Sequence, residues 1–230
     1  MWRHKLAWSL VFLVVFSSAV LSDSADIPTV VGTAYDRDSG RLLYTERHFC
    51  SDEGRICTVQ YRDSSGGMIA QKTLDYRAGR FSPAMTMTDY RLGLELNLPT
   101  SEQENIVVDA GFDNYVRSVW EQLARGESVH FPLLLADFDE PINMRADLKT
   151  SGDCHPAELC LEVSLDSWLL GKLTSPIALS YSRENRKLLY FGGISNIRGE
   201  DGESLSVDIH YRYENDVSFP GSTPTAVVQF

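Results

Sequence analysis

Leu205-Ser206-Val207-Asp208-Ile209-His210-Tyr211-Arg212-Tyr213-Glu214 decides the fold class. Apolar side chains at 205, 207, 209, 211 and 213 alternate with polar ones, a period of two. That is the pattern of a strand with one face on a core and the other in water. Leu159, Leu161, Val163 and Leu165 alternate in the same way with Cys160, Glu162, Ser164 and Asp166. So do Leu92, Leu94, Leu96 and Leu98 with Gly93, Glu95, Asn97 and Pro99, and Ile142, Met144, Ala146 and Leu148 repeat the pattern. Working outward, Val30 to Tyr35 and Leu42 to Phe49 flank Asp36-Arg37-Asp38-Ser39-Gly40, while Thr58 to Arg62 and Met68 to Tyr76 flank Ser64-Ser65-Gly66-Gly67. Gly and Asp clusters between β-branched and aromatic runs are hairpin chemistry.

One stretch departs from this period. Phe112, Tyr115, Val116, Val119, Trp120 and Leu123 follow helical spacing, with Asn114, Arg117, Ser118, Glu121, Gln122 and Arg125 opposite. The spacing predicts one amphipathic helix of about 13 residues, with Asp109 or Asp113 at its start and Gly126 at its end. The expected fold is mainly β: a curved or partly closed antiparallel β-meander packed on one amphipathic α-helix. Phe112, Tyr115, Trp120, Trp168 and Phe191 would line the enclosed space, and they are the candidate ligand-binding residues.

The start of the chain reads as an export leader. Arg3, His4 and Lys5 precede an uncharged run from Leu6 to Leu21 that ends in small residues, Ser17, Ser18, Ala19 and Ser22. Basic, apolar and small segments in that order form a cleavable signal peptide over 1–22. The run is shorter than the roughly 20 residues that span a bilayer, and the first cysteine, Cys50, is too distant for a lipoprotein anchor. The expected mature chain, 23–230, is then a single periplasmic or secreted β-rich domain without an integral membrane segment. Residues 214–224 read as a linker before a terminal strand, 226–230.

The 230 residues carry a net charge of −11, and removal of 1–22 deletes Arg3 and Lys5 but no acid. Such a surface repels phosphate backbones, so nucleic acid is excluded as a partner. Four cysteines in an oxidising compartment imply disulfides. They allow three connectivities that sequence does not decide. The two local bridges, Cys50 with Cys57 and Cys154 with Cys160, are favoured, because the turn-like Ser51-Asp52-Glu53-Gly54-Arg55 sets the first pair opposite each other.

Known catalytic patterns fail one by one. Histidines 48, 130, 155 and 210 form no HExxH. Gly193-Ile194-Ser195-Asn196-Ile197 begins like a nucleophile elbow but ends in Ile197 where glycine is required. Asp36, Asp38 and Gly40 have the wrong spacing for a calcium loop, and Cys154, His155 and Cys160 lack a fourth zinc ligand. Asp137, Asp139 and Glu140 precede Pro141 as a solvated loop. No cofactor or metal is implied, and the chain does not read as an enzyme.

Tyr35-Asp36 through Tyr44, Val108-Asp109-Ala110-Gly111-Phe112-Asp113-Asn114 and Gly192-Gly193-Ile194-Ser195-Asn196-Ile197 resemble an uncharacterised family of exported proteobacterial β-rich proteins. The resemblance supplies no catalytic residue. In architecture, a curved antiparallel sheet enclosing a helix is similar to the periplasmic lipoprotein-carrier (LolA-like) half-barrels. The leading expectation is a binding or chaperone-like module for an apolar small molecule such as a lipid or acyl chain. The competing readings are a structural or protein-interaction module of the cell envelope, a hydrolase using acidic residues, and a small outer-membrane β-barrel ending in Ala226, Val228 and Phe230. Short strands, the helix, Pro220 and Pro224 favour a soluble edge strand over the barrel.

Overall fold

The computed structural model describes residues 28–100, 105–135, 138–149, 152, 154–167 and 176–214. The expected leader, Trp168, Asp137, positions 215–224 of the linker-like stretch and the terminal strand lie outside the described residues. Among the described residues, thirteen strands form one sheet: β1 (Val30–Asp36), β2 (Leu42–Ser51), β3 (Ile56–Asp63), β4 (Met68–Asp75), β5 (Ala84–Asp89), β6 (Leu94–Leu98), β7 (Val107–Val108), β8 (Val129–Leu134), β9 (Ile142–Leu148), β10 (Glu158–Leu165), β11 (Ile177–Ser182), β12 (Leu188–Arg198) and β13 (Ser204–Tyr213). Their order is β6-β5-β4-β3-β2-β1-β13-β12-β11-β10-β9-β8-β7. Two meanders are thus welded where β1 pairs with β13, from Val30 opposite Tyr213 to Asp36 opposite Val207.

The alternation works as expected in β13, where Val207 and Ile209 are buried while His210 is exposed, but not in the 92–98 stretch, where Leu92 lies in a turn and Leu94 is 45 % exposed. Predicted hairpins β1–β2 and β3–β4 are present, and Cys50 faces Cys57 across β2–β3. Disulfides join Cys50 to Cys57 and Cys154 to Cys160. Each closes a short loop, which stabilises by about 2 kcal/mol.

Two features differ from the expectation. The helix is two short helices, α1 (Gly111–Ser118) and α2 (Trp120–Ala124), and Val119 between them has φ −102° and ψ 15°. Ser118 Oγ donates to Tyr115 O at 2.7 Å, a bond back onto the preceding turn that bends helices. Neither Asp109 nor Asp113 is the N-cap, a place held by Ala110. Gly126 ends the pair as predicted, with φ +81°. Its N–H bonds to Leu123 O at 2.9 Å, and Glu127 N–H bonds to Gln122 O at 3.0 Å, the paired closure that favours glycine.

The second difference is that β7 pairs with β8 in parallel, Val107 opposite Leu133 and Val108 opposite Leu134. Parallel neighbours need a crossover, and α1–α2 is that crossover. Its apolar stripe of Val116, Trp120 and Leu123 packs on Phe131, Met144, Leu161 and Leu179 of the sheet. A second cluster, holding Tyr44, Val59, Tyr61, Met87 and Val207, fills the β1–β5 side, and Phe191 packs against both.

The sheet is nearly closed and barrel-like. Val108 N donates to Phe81 O at 2.9 Å, bringing β7 against the β4–β5 connection. Gly111 permits this approach, because a Cβ there would lie 2.1 Å from Phe81 O. Arg91 Nη2 donates to Arg198 O at 2.8 Å and ties the β5–β6 turn to β12. Among the described residues, no helix is long and apolar enough to cross a membrane.

Candidate functional site

Two places concentrate chemistry: a charged network inside the sheet, and an aromatic cleft beside the short parallel seam. Strand alternation places Glu46 of β2 inside, only 7 % exposed. Gly32 sits between Glu46 and Tyr211 in the register. Tyr211 Oη donates to Glu46 Oε2 at 3.2 Å across that glycine, and His48 Nε2 lies 3.3 Å from the same oxygen. A Cβ on Gly32 would stand 2.8 Å from the Tyr211 ring and 3.2 Å from the Glu46 carboxylate. Glycine is what lets the phenol reach the acid.

Burial, reinforced by the Glu46 carboxylate, holds the phenols of Tyr44, Tyr61 and Tyr211 well above their ordinary ionisation range. They are therefore donors at any physiological pH.

The second half of the network centres on Asp109, whose backbone takes φ +40°. Lys72 Nζ lies 3.0 Å from Asp109 Oδ1, with both side chains buried. Asn196 Nδ2 donates to Asp109 Oδ2 at 2.7 Å, and Ala110 N donates to Oδ1 at 2.6 Å. Asn196 reaches inward because the β12–β13 register shifts between Ile194 and Arg198, a bulge that re-aims side chains. Ser195 Oγ shares a 2.6 Å hydrogen bond with Tyr44 Oη and accepts from Ile197 N at 2.9 Å. Three stretches far apart in the chain meet here, through Tyr44, Asp109, Ser195 and Asn196. Each of these polar groups is satisfied by another of the set or by a backbone N–H, as a buried network must be. The network clasps the fold.

A related set pins the helix pair. Arg117 pairs with Asp113 and donates from Nε to Arg186 O at 3.1 Å. Arg186 pairs with Glu121 at 2.8 Å, its guanidinium 5.2 Å from the centre of the Trp120 ring.

The cleft has a different character. Only two residues of β7 pair with β8, so a notch of about 220 Å³ opens between Asn105–Val107 and His130–Pro132. Phe81, Tyr115 and Phe131 line it. The rings of Tyr115 and Phe131 are 5.0 Å apart, those of Phe81 and Tyr115 5.6 Å, and Phe112 stacks on Phe131 at 5.4 Å. Partial burial raises the Tyr115 phenol above its ordinary range. His130 stands at the rim with Nδ1 2.9 Å from Asp166 Oδ2. A second recess, beside Met87, Leu94, Leu96 and Arg198, measures about 10 Å³, no more than one water needs.

Of the five candidate ligand-binding residues, Tyr115 lines the cleft and Phe112 stacks behind it. Trp120 is buried against Tyr181 and Arg186, and Phe191 lies between the two core clusters. The sequence expectation left Phe81, Ile106 and Phe131 out and weighed His130 only as a catalytic histidine. The local signal for His130 and Phe131 is Pro132, because a proline within a strand-like run marks an interrupted ladder; Phe81 and Ile106 have no such signal. Asp139 and Glu140 are exposed, as a solvated loop is. Among the described residues, no three His, Cys, Asp or Glu side chains gather as a metal site requires.

No family matches the chain, and no curated protein matches it. Among solved structures it is similar to a Vibrio parahaemolyticus domain described as an outer membrane lipoprotein-sorting protein. The two share 11 % identity at a TM-score of 0.24, over 83 % of this chain and 85 % of the other. A likeness at that level carries no weight for fold or function.

Proposed function

We propose that this chain is an extracytoplasmic binding module that takes an acyl chain, or a comparably slender apolar group, into the cleft between β7 and β8. The observation that carries the reading is the cleft itself, walled by the rings of Phe81, Tyr115 and Phe131. Apolar walls with few oriented polar groups are the general character of small-molecule sites. The 220 Å³ volume is below the roughly 300–1,000 Å³ that encloses a drug-sized ligand. The bound part is therefore a segment of a lipid, with the remainder outside. The leader-like N-terminus and two disulfides support an oxidising compartment.

Native mass spectrometry of protein purified from the exported fraction, with lipid extraction of the same sample, tests the reading. The expected result is a co-purifying acyl lipid that Tyr115→Ser, at a half-buried position of the cleft wall, no longer retains, while that variant keeps the wild-type circular dichroism spectrum. An exported, folded wild type that carries no lipid and takes none up from octanoyl ligands overturns it.

A further inference from the structure

The charge of the chain is unevenly spread. Acids outnumber bases by 32 to 21 overall, yet one face of the sheet reverses that balance. Glu46 and Tyr211 meet on the inner face, so their neighbours Arg47 and Arg212 point outward. The register sets Gln60, Arg47, Val31 and Arg212 side by side across β3, β2, β1 and β13. The next outward row is Arg62, Thr45, Thr33 and His210. These two rows hold three arginines and no carboxylate. On β13 the outward acids are Asp208, ion-paired with Arg37 at 3.1 Å, and Glu214 just past the strand end.

In so acidic a chain an arginine readily finds an acid, as Arg55, Arg77, Arg91 and Arg125 do. Arg47, Arg62 and Arg212 pair with none among the described residues. Arg62 spends Nη1 on Gly66 O at 2.9 Å and Nη2 on Gln60 Oε1 at 3.1 Å, both neutral acceptors. The Arg47 guanidinium lies 6.0 Å from the centre of the Phe49 ring, and Arg212 is exposed. Arg47 and Arg212 stand two strand spacings apart, about 10 Å. At physiological salt a surface charge is felt over about 8 Å, so acids on the far side of the barrel do not cancel this face.

A guanidinium is a fork that matches a phosphate through two parallel N–H bonds. Rows across four strands, about 14 Å of sheet, present the three forks together to a flat array of anions. Rings stand among them: Phe49 beside Arg47, and Tyr35 and Tyr190 on either side of His210 at 6.2 and 5.4 Å. Arginine mixed with aromatic side chains suits the headgroup layer of an anionic membrane. We infer that the outer face of β3, β2, β1 and β13 docks on a bilayer surface rich in anionic phospholipid, with Arg47, Arg62 and Arg212 on the phosphates. The inference stands apart from the acyl-chain cleft between β7 and β8.

Co-sedimentation of the purified protein with two kinds of vesicle tests it: phosphatidylcholine alone, and phosphatidylcholine with phosphatidylglycerol in equal parts. Both kinds offer acyl chains, so a failure of the cleft reading leaves the comparison intact. Wild type is expected to bind the anionic vesicles at least about tenfold more tightly and to lose that preference in about 0.5 M salt. Arg47→Gln/Arg212→Gln is expected to weaken anionic binding about twentyfold. Arg125→Gln/Arg145→Gln removes the same charge at exposed positions off this face, already paired with acids, and is expected to change it less than about threefold. Thermal melts check that both variants are folded. Equal wild-type binding to the two vesicles, or a preference that salt does not remove, overturns the inference whatever the variants do. Equal weakening by the two variant pairs overturns the assignment to this face. Binding to polyglutamate with none to the anionic vesicles makes the partner an acidic protein and overturns the lipid surface.

Discussion

Asn196 donates a 2.7 Å hydrogen bond to Asp109 although 87 positions separate them in the chain. Asp109 also holds Lys72 of β4 at 3.0 Å, so one carboxylate fastens the first meander, the helix pair and the β12 bulge together. The helix start is thereby fixed relative to both halves of the sheet, and with it Tyr115 on the cleft wall.

Removing either partner of the Lys72–Asp109 pair leaves a buried charge without compensation, which costs about 3–5 kcal/mol. Lys72→Met and Asp109→Ala are each expected to lower the urea midpoint accordingly. The double variant Lys72→Met/Asp109→Asn recovers much of the loss, because no charge is stranded. A loss below about 1 kcal/mol in both single variants contradicts this account.

Gly32→Ala places a methyl group against the Tyr211 ring and the Glu46 carboxylate. Overpacking of this kind costs about 1–3 kcal/mol. Thermal melts are expected to show that loss when Gly32→Ala is made in the wild type and a smaller added loss when it is made in Tyr211→Leu, where the ring has been removed. Equal added losses in the two backgrounds rule out the steric cause.

Alkaline pH is expected to destabilise the fold. Tyr190 is pushed up to about 12 by burial and by its bond to Asp208, and Tyr44, Tyr61 and Tyr211 are raised further by burial beside Glu46. Above the ordinary phenol value near 10, the unfolded chain loses these protons while the folded chain keeps them. Stability is therefore full below pH 10 and falls as pH rises beyond it. Absorbance near 295 nm checks this: these phenols are expected to ionise only with unfolding, and early titration in the folded state contradicts it.

Replacing Cys50 and Cys57 together by alanine is expected to cost about 2 kcal/mol, as loss of a short closed loop does. Their strands stay paired through the surrounding register, so denaturant melts are expected to shift while the far-ultraviolet spectrum does not. Loss of β structure in the undenatured variant contradicts this.

The strands were legible because their signal is local. Alternation in 205–213 and 159–165 marks one face for the core, and glycine-rich turns mark the hairpins. The helix was legible as a stripe but not as a broken one, since the Ser118 bond to Tyr115 O acts against a spacing that fits a continuous helix. The parallel β7–β8 seam left no such trace: two residues are too few for a period, and closure depends on Val108 meeting Phe81. The cleft was hidden for the same reason, its rings coming from positions 81, 115 and 131. Lys72 sits at an inward position of an alternating strand, between Ala70 and Leu74, but its partner lies 37 residues away.

The most direct test of the proposed acyl-chain cleft is an NMR titration of the isotopically labelled protein with 1-monooctanoylglycerol. The account predicts saturable shifts concentrated on Phe81, Ile106, Tyr115, His130 and Phe131, with the Lys72–Asp109 network little changed. Saturation with shifts centred elsewhere, or no shifts at concentrations where the ligand is soluble, contradicts it.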